Sequence, residues 1–388
     1  MAISVVQRYE QIIRVIRICS MYVGTDVLKP TWKMNPLTWT VIIFINMFVI
    51  LTCYTVYFNI YVVGQWSLSL QALTMLGSGL HGYAKLLNAI WNREYFRFLV
   101  DDLHLIYKEY NAKPNSDYRT FLNRTMNRTV FGMKSMAIVY VIVIFSLISV
   151  VPLYRFVFNQ RIFIMQFLIP GLDPTSNERD FIIMNVIHFA SMLFGGFGNF
   201  AADLCFFLLV FHVPLYKDIL QCKFHEVNEA LANDEMERSS ELLNEIFLWH
   251  QRYMKYISTV KINYFYVILI EMATIALCMA LSLFCIILGT WPGGQTYFIY
   301  CFIMIYVFCG LGTLVDATND GFIESCYNEI IWYRLSIKDR RMLQMMLMMT
   351  QNTSGLTVGA VKPLTVNTGL QLTKAIYTMT MMLINFLD

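Results

Sequence analysis

Charge is what this chain has least of. Asp, Glu, Lys and Arg make up 14% of it, against 57% hydrophobic and 15% aromatic residues. A soluble domain carries nearer a quarter charged residues, so the composition implies a polytopic membrane protein with small aqueous parts. A net charge of +3 is too weak to suggest a nucleic-acid partner. Chemistry-bearing motifs are missing too. The histidines (81, 104, 188, 212, 225 and 250) are dispersed, with no His-x-x-x-His or Cys-x-x-Cys spacing for a metal. There is no Gly-rich phosphate loop, no Gly-Lys-Ser/Thr and no Gly-x-Ser-x-Gly, so neither an enzyme nor a cofactor is expected. No internal repeat is visible, which argues against inverted-repeat transporters. Arg8, Arg14 and Arg17 precede no apolar core of signal-peptide length, so the first apolar stretch itself is expected to direct insertion.

What is present is apolar length. Seven stretches (39–63, 68–91, 132–153, 182–211, 262–288, 297–315 and 364–387) are each long enough to cross a ~30 Å hydrocarbon core as a helix. Of the 29 Lys and Arg, 23 fall in the N-terminal segment and the second, fourth and sixth connections. The positive-inside rule then puts the N-terminus in the cytoplasm and the C-terminus outside, the reverse of a G-protein-coupled receptor. None of the nine cysteines falls in an outward connection, so no disulfide framework is expected. The N-glycosylation triplets at Asn123, Asn127 and Asn352 all fall on the basic side, out of reach of the glycosylation machinery.

The expected architecture is therefore all-α, with seven transmembrane helices and a cytoplasmic helical base. Residues 1–38 form a cytoplasmic amphipathic segment, from the helical spacing of Val5, Tyr9, Ile12, Ile13 and Ile16. Residues 39–213 hold transmembrane helices 1–4 with an apolar outer loop at 154–181. Its middle, 162–170, cannot span and should fold back over the helices, either as a lid on a cavity or as plain packing. Residues 214–261 read as a helical hairpin broken at Asn233-Asp234-Glu235 and extending the fourth and fifth spans. Residues 262–318 hold helices 5 and 6, residues 319–363 cytoplasmic anchor helices around Met342, Met345 and Met346, and residues 364–388 helix 7.

Charges inside spans are costly and invite a role. Lys85, Asp203 and Glu271 should lie toward cytoplasmic ends, where snorkelling or helix-to-helix pairing suffices; Lys374 is deeper. Gly195-Gly196-Phe197-Gly198 permits close packing or a kink. In the outer halves of the middle spans, small polar groups sit among large apolar ones: Phe145, Ser146, Ser149 and Leu153; Met184, Ile187, His188 and Ser191; Tyr297, Tyr300 and Tyr306. Such a mixture suits a pocket for a small volatile molecule. Leu383 and Leu387, four apart at the outer end of the last span, read as a dewetting gate or as ordinary lipid-facing leucines.

From Ser325 onward the chain reads Ser325-Cys326-Tyr327-Asn328, Trp332-Tyr333, Arg340-Arg341-Met342-Leu343, Met349-Thr350-Gln351 and Leu356-Thr357-Val358-Gly359. It continues through Thr365-Val366-Asn367, Leu372, Lys374-Ala375-Ile376-Tyr377 and Met382-Leu383. This run resembles the C-terminal signature of insect odorant receptors, except that Asn352-Thr353 replaces the usual proline. The resemblance implies a ligand-gated, non-selective cation channel. It would act as a heterotetramer with the odorant receptor coreceptor, in the dendritic plasma membrane of olfactory sensory neurons. The last span would line the pore, with Leu383 and Leu387 in the gate register and Lys374 where the family also has lysine. The coreceptor's fourth-loop insertion is missing, so the chain resembles a tuning subunit whose partners are the coreceptor, a largely apolar odorant and membrane lipid. The rivals are a metabotropic receptor, which lacks its Asp/Glu-Arg-Tyr and Asn-Pro-x-x-Tyr motifs here, and a gustatory receptor, whose C-terminal pattern matches less well.

Overall fold

A computed structural model describes residues 4–172, 177–352 and 355–385 of the chain. Its N-terminal helix α1 (Val5–Tyr22) starts at a capping box in which Ser4 and Gln7 satisfy each other's backbone N–H groups. The buried face of α1 carries Val5, Tyr9, Ile12 and Ile16. It packs on α4 (Arg93–Ala112), α5 (Ser116–Val157) and α6 (Glu178–Phe211) rather than lying free. Tyr9 anchors it, donating to the Val100 carbonyl at 2.8 Å and stacking on Tyr107. Tyr107 in turn meets His212 Nε2 at 3.0 Å, and burial pushes its hydroxyl pKa well up.

Between α1 and α2 (Pro36–Tyr57) the chain turns at Gly24, whose φ of +75° is left-handed. The Gly24 carbonyl accepts from Trp32 Nε1, Asn35 Nδ2 and Thr38 Oγ1, and a Cβ on Gly24 would stand 2.6 Å from the Thr38 nitrogen. Asn35 caps α2 and Pro36 takes its first turn, where a missing N–H costs nothing. A π-helical stretch, Phe58–Val63, extends α2 to Gly64.

Within the described residues each expected span lies mostly on a helix. Among those residues five helical stretches are long and apolar enough to cross a membrane: Pro36–Val62, Ser116–Val157, Glu178–Ala232, Met236–Ile287 and Gly294–Asn328. The second and seventh expected spans fall on the more polar α3 (Trp66–Trp91) and α11 (Val366–Asn385). In α3 the polar groups Gln71, Thr74, His81 and Lys85 are buried against protein, which removes their cost in lipid. α8 (Met236–Ile287) has 52 residues and so runs about 78 Å, more than twice the hydrocarbon thickness.

The excess length builds the helical base. α7 (Val213–Ala232) follows α6 with only His212 between, and the chain reverses at Asn233–Glu235 with Asp234 at φ +57°. The apolar stripe of this hairpin meets the chain's own α4 and α10 (Ile337–Gln351). Arg252 and Tyr216 both reach Asp102, at 2.8 and 2.5 Å, and His250 bonds Thr350 at 2.7 Å. α9 (Gly294–Asn328) closes the bundle. A hairpin of β1 (Thr357–Val358) and β2 (Lys362–Pro363) then leads into α11. α4 was not singled out from sequence, although Phe96, Leu99, Val100, Leu103, Ile106 and Tyr110 repeat at helical spacing and are all buried.

Candidate ligand-binding site

A cavity of about 190 Å³ lies among α2, α3, α5, α6 and α9. Its length follows from α3, whose lining residues run from Met75 to Ala89, about 21 Å along the helix. Most of the wall is apolar: Phe44, Ile45 and Phe48 from α2, Val143, Ile144 and Leu147 from α5, Met192 and Phe194 from α6. Glycines shape it differently from one another. Gly198 and Gly196 let α6 approach Val23 and Ile144, whereas a Cβ on Gly195 would meet nothing within 4 Å. The glycine cluster therefore serves packing at two positions and opens space at the third.

The loop after α5 closes one end. Ile164, Met165 and Phe167 are buried and Met165 lines the cavity. The Leu168 N–H donates to Thr55 Oγ1 at 2.7 Å, the Phe167 carbonyl lies 3.0 Å from His188 Nε2, and the Phe167 ring packs edge-on against Phe48 and His188. The apolar middle of the loop thus folds inward between α2 and α6.

Beside the cavity the intramembrane charges meet. Lys85 Nζ lies 2.6 Å from Asp203 and 2.7 Å from Glu271, with all three side chains at most 5% exposed. Tyr140 donates to the second Asp203 oxygen at 2.6 Å, and Tyr300 donates to Tyr140 at 3.2 Å. Helix-to-helix pairing, not snorkelling, accommodates these charges. Five helices meet in this one network: α3, α5, α6, α8 and α9.

Of the residues picked from sequence, the structure brings Ser191, Tyr297 and Tyr300 to the cavity wall. Tyr297 also pairs with Ser78 of α3. Phe145 and Leu153 point outward from the bundle, Met184 is packed, and Ile187 is half-buried away from the cavity. His188 supports the loop instead of facing the void. Ser146 pairs with Thr296 at 2.9 Å, Ser149 with the Ser146 carbonyl, and Tyr306 faces Thr373 of α11. The side chain of Leu383 and the whole of Leu387 lie outside the described residues. The α2 and α3 lining was not anticipated. Its signal was Gly77-x-Gly79-x-x-Gly82, small residues that bring α3 close to Phe48 and Asn199.

A family model described as 7tm odorant receptor matches residues 65–377. Odorant receptor 83c of Drosophila melanogaster is 31% identical over 394 residues, covering 97% of either chain. The fold is that of the olfactory receptor OR5 from Machilis hrabei. Against its complex with eugenol the TM-score is 0.79 at 16% identity over 97% of each chain. Against a second structure of that receptor it is 0.76 at 15% identity over 96% of each.

Proposed function

The chain belongs to the odorant receptor family, and on that premise we propose that it is the odorant-binding, tuning subunit of a ligand-gated, non-selective cation channel completed by the odorant receptor coreceptor. The observation that carries this reading is that one helix serves both sites. α9 gives Tyr297 and Tyr300 to the cavity, and two turns further on it holds α11. There Tyr306 faces Thr373, Gly369 abuts Cys309, and the Val366 N–H donates to Thr313 at 3.0 Å. A ligand that displaces α9 moves the mount of α11.

α11 fits a pore helix. Ile376 and Thr380 are buried against the bundle, while Leu370, Lys374, Tyr377 and Met381 are exposed on this chain. A lysine facing lipid at that depth costs about 2.5–3.5 kcal/mol on insertion scales, so the exposed face suits water and neighbouring subunits better than hydrocarbon. Leu383 and Leu387 remain our gate positions on the family register. In the same reading the spans number seven, with the N-terminus and helical base cytoplasmic and the C-terminus outside. The heterotetramer sits in the dendritic plasma membrane of olfactory sensory neurons.

The energetics are sufficient. An odorant burying ~200 Å² of apolar surface gains ~5 kcal/mol, which alone corresponds to roughly 0.2 mM, so hydrogen bonding and close packing in the preformed cavity supply the rest of any tighter affinity. Gating uses only the part that differs between closed and open states, and ~1–3 kcal/mol changes the open population several-fold. The test is whole-cell current from cells expressing this chain with and without the coreceptor, under a broad odorant panel with G-protein signalling blocked. A fast cation current that needs both subunits is expected. Odorant responses that vanish with the block would make the receptor metabotropic.

A further inference from the structure

The polar groups around the cavity are not neutral in their hydrogen bonding. The fixed donors are turned away from the void. Lys85 gives its ammonium to Asp203 and Glu271. A hydroxyl has one proton, so Tyr140, which donates to Asp203, leaves Tyr300 to donate to Tyr140, and that chain is used up. Tyr297 and Ser78 are paired with each other. Left over are the Tyr264 hydroxyl on α8, which faces Cys205, and two groups on α6. Asn199 is 6% exposed, its Nδ2 points at the Ser78 carbonyl at 3.4 Å, and its Oδ1 is buried without a partner. Flipping the amide would set oxygen against oxygen, so the acceptor is the end left free. Ser191 Oγ, two turns away, is likewise buried and unpartnered. Between them lies Gly195, with open space where a side chain would stand. Positions i, i+4 and i+8 share a helix face, which puts acceptor, void and hydroxyl in one line about 12 Å long.

Buried polar groups are almost always paired, and an unmet acceptor beside a cavity asks for a donor. We propose that the ligand is an apolar alcohol or phenol whose O–H donates to Asn199 Oδ1, with its carbon skeleton over Gly195 and Ser191 as a second polar contact. Aldehydes, ketones, esters and ethers of the same skeleton bring only acceptors and leave Asn199 unmet. This rests on the odorant-receptor reading above and narrows it to a chemical class.

The test uses matched pairs in which a methyl group replaces the donor hydrogen: octanol, decanol and dodecanol against their methyl ethers, and eugenol against methyleugenol. Each is applied to cells expressing the full chain with the coreceptor, and in parallel to the purified chain in a thermal-shift assay. The alcohols are expected to act at roughly 10- to 100-fold lower concentration than their ethers, the discrimination that one unmet buried acceptor supplies. Asn199→Leu should bring that ratio to about one while the ethers keep their potency; Ser191→Ala should narrow it less. A structural role for Asn199 would instead weaken both members of each pair alike, which overturns the assignment. Equal potency of alcohols and ethers in the wild type overturns it as well, as does failure of every alcohol in both assays. Alcohol-selective stabilisation without current would uphold the ligand class and sink the channel reading.

Discussion

Lys85 faces two buried carboxylates, and removing it leaves both of them without a cation. Breaking a buried ion pair from one side costs about 3–5 kcal/mol, whereas neutralising all partners together is far cheaper. Lys85→Met should therefore lower the melting temperature and surface abundance sharply. Adding Asp203→Asn and Glu271→Gln to it should recover most of both, and a triple variant no better than the single would show that the network is not what holds these helices. Tyr140→Phe removes two bonds, the one it donates to Asp203 and the one it accepts from Tyr300, and should cost about 2–3 kcal/mol. Gly24 is a second residue-scale test. Gly24→Ala forces a side chain into the left-handed region and toward the Thr38 nitrogen, for a loss of about 1–3 kcal/mol in thermal unfolding. The sequence flagged Lys85, Asp203 and Glu271 one by one but not as a set. Their partners lie 118 and 186 residues apart, and only the bundle brings them together. The pocket was half legible for the same reason. Ser191, Tyr297 and Tyr300 were found by composition, but Phe145 and Leu153 required helix rotations that spacing does not fix.

Single elements bear on the loop closure and on the proposed pore. The loop end of the cavity depends on Phe167, packed on Phe48 and His188. Phe167→Ala removes a buried ring worth about 3–5 kcal/mol, enough to loosen the segment without unfolding the bundle around it. Agonist current should then decay faster after washout, with Thr55→Val showing a milder form through loss of the bond to the Leu168 N–H. Unchanged decay in both would mean the loop is packing and no lid. That alternative was already open in the sequence, because an apolar segment too short to span and ended by Pro170-Gly171 folds back over the helices whether or not a cavity lies beneath. On α11, Lys374 is the one cation on the exposed face. If that face lines a cation pathway, Lys374→Gln should raise unitary conductance by up to about twofold, since a fixed positive charge repels permeant cations. A conductance that ignores the substitution would place the lysine outside the conduction path. Helix identity was readable in α7 and α10 from the spacing of their apolar residues, and in α3 and α11 from the length of an apolar stretch alone.

At the scale of the whole molecule, orientation is the property on which the remaining assignments depend, and charge asymmetry is its warrant. With 23 of the 29 basic residues on one side, inversion would carry that entire set across the bilayer. The fold adds a local reason to expect the basic side to stay unglycosylated. The triplets at Asn123 and Asn127 lie inside α5, with Thr125 and Thr129 buried and Thr129 bonded to the Thr125 carbonyl. In the folded chain neither triplet is an open acceptor, so a glycan there could be added only before folding and only if the segment entered the lumen. Epitope tags at the two ends separate the alternatives. In intact cells the C-terminal tag should stain and the N-terminal tag should stain only after permeabilisation, with no endoglycosidase-sensitive band shift on the protein. Surface staining of the N-terminal tag together with a glycan lost in Asn123→Gln would invert the molecule. The basic base of α7, α8 and α10 would then face outward, and the shared mount of α9 and α11 would have to be reconsidered as part of a metabotropic receptor. The expected staining leaves the helical base in the cytoplasm, the arrangement in which a ligand in the cavity would act on α9 and α9 on α11.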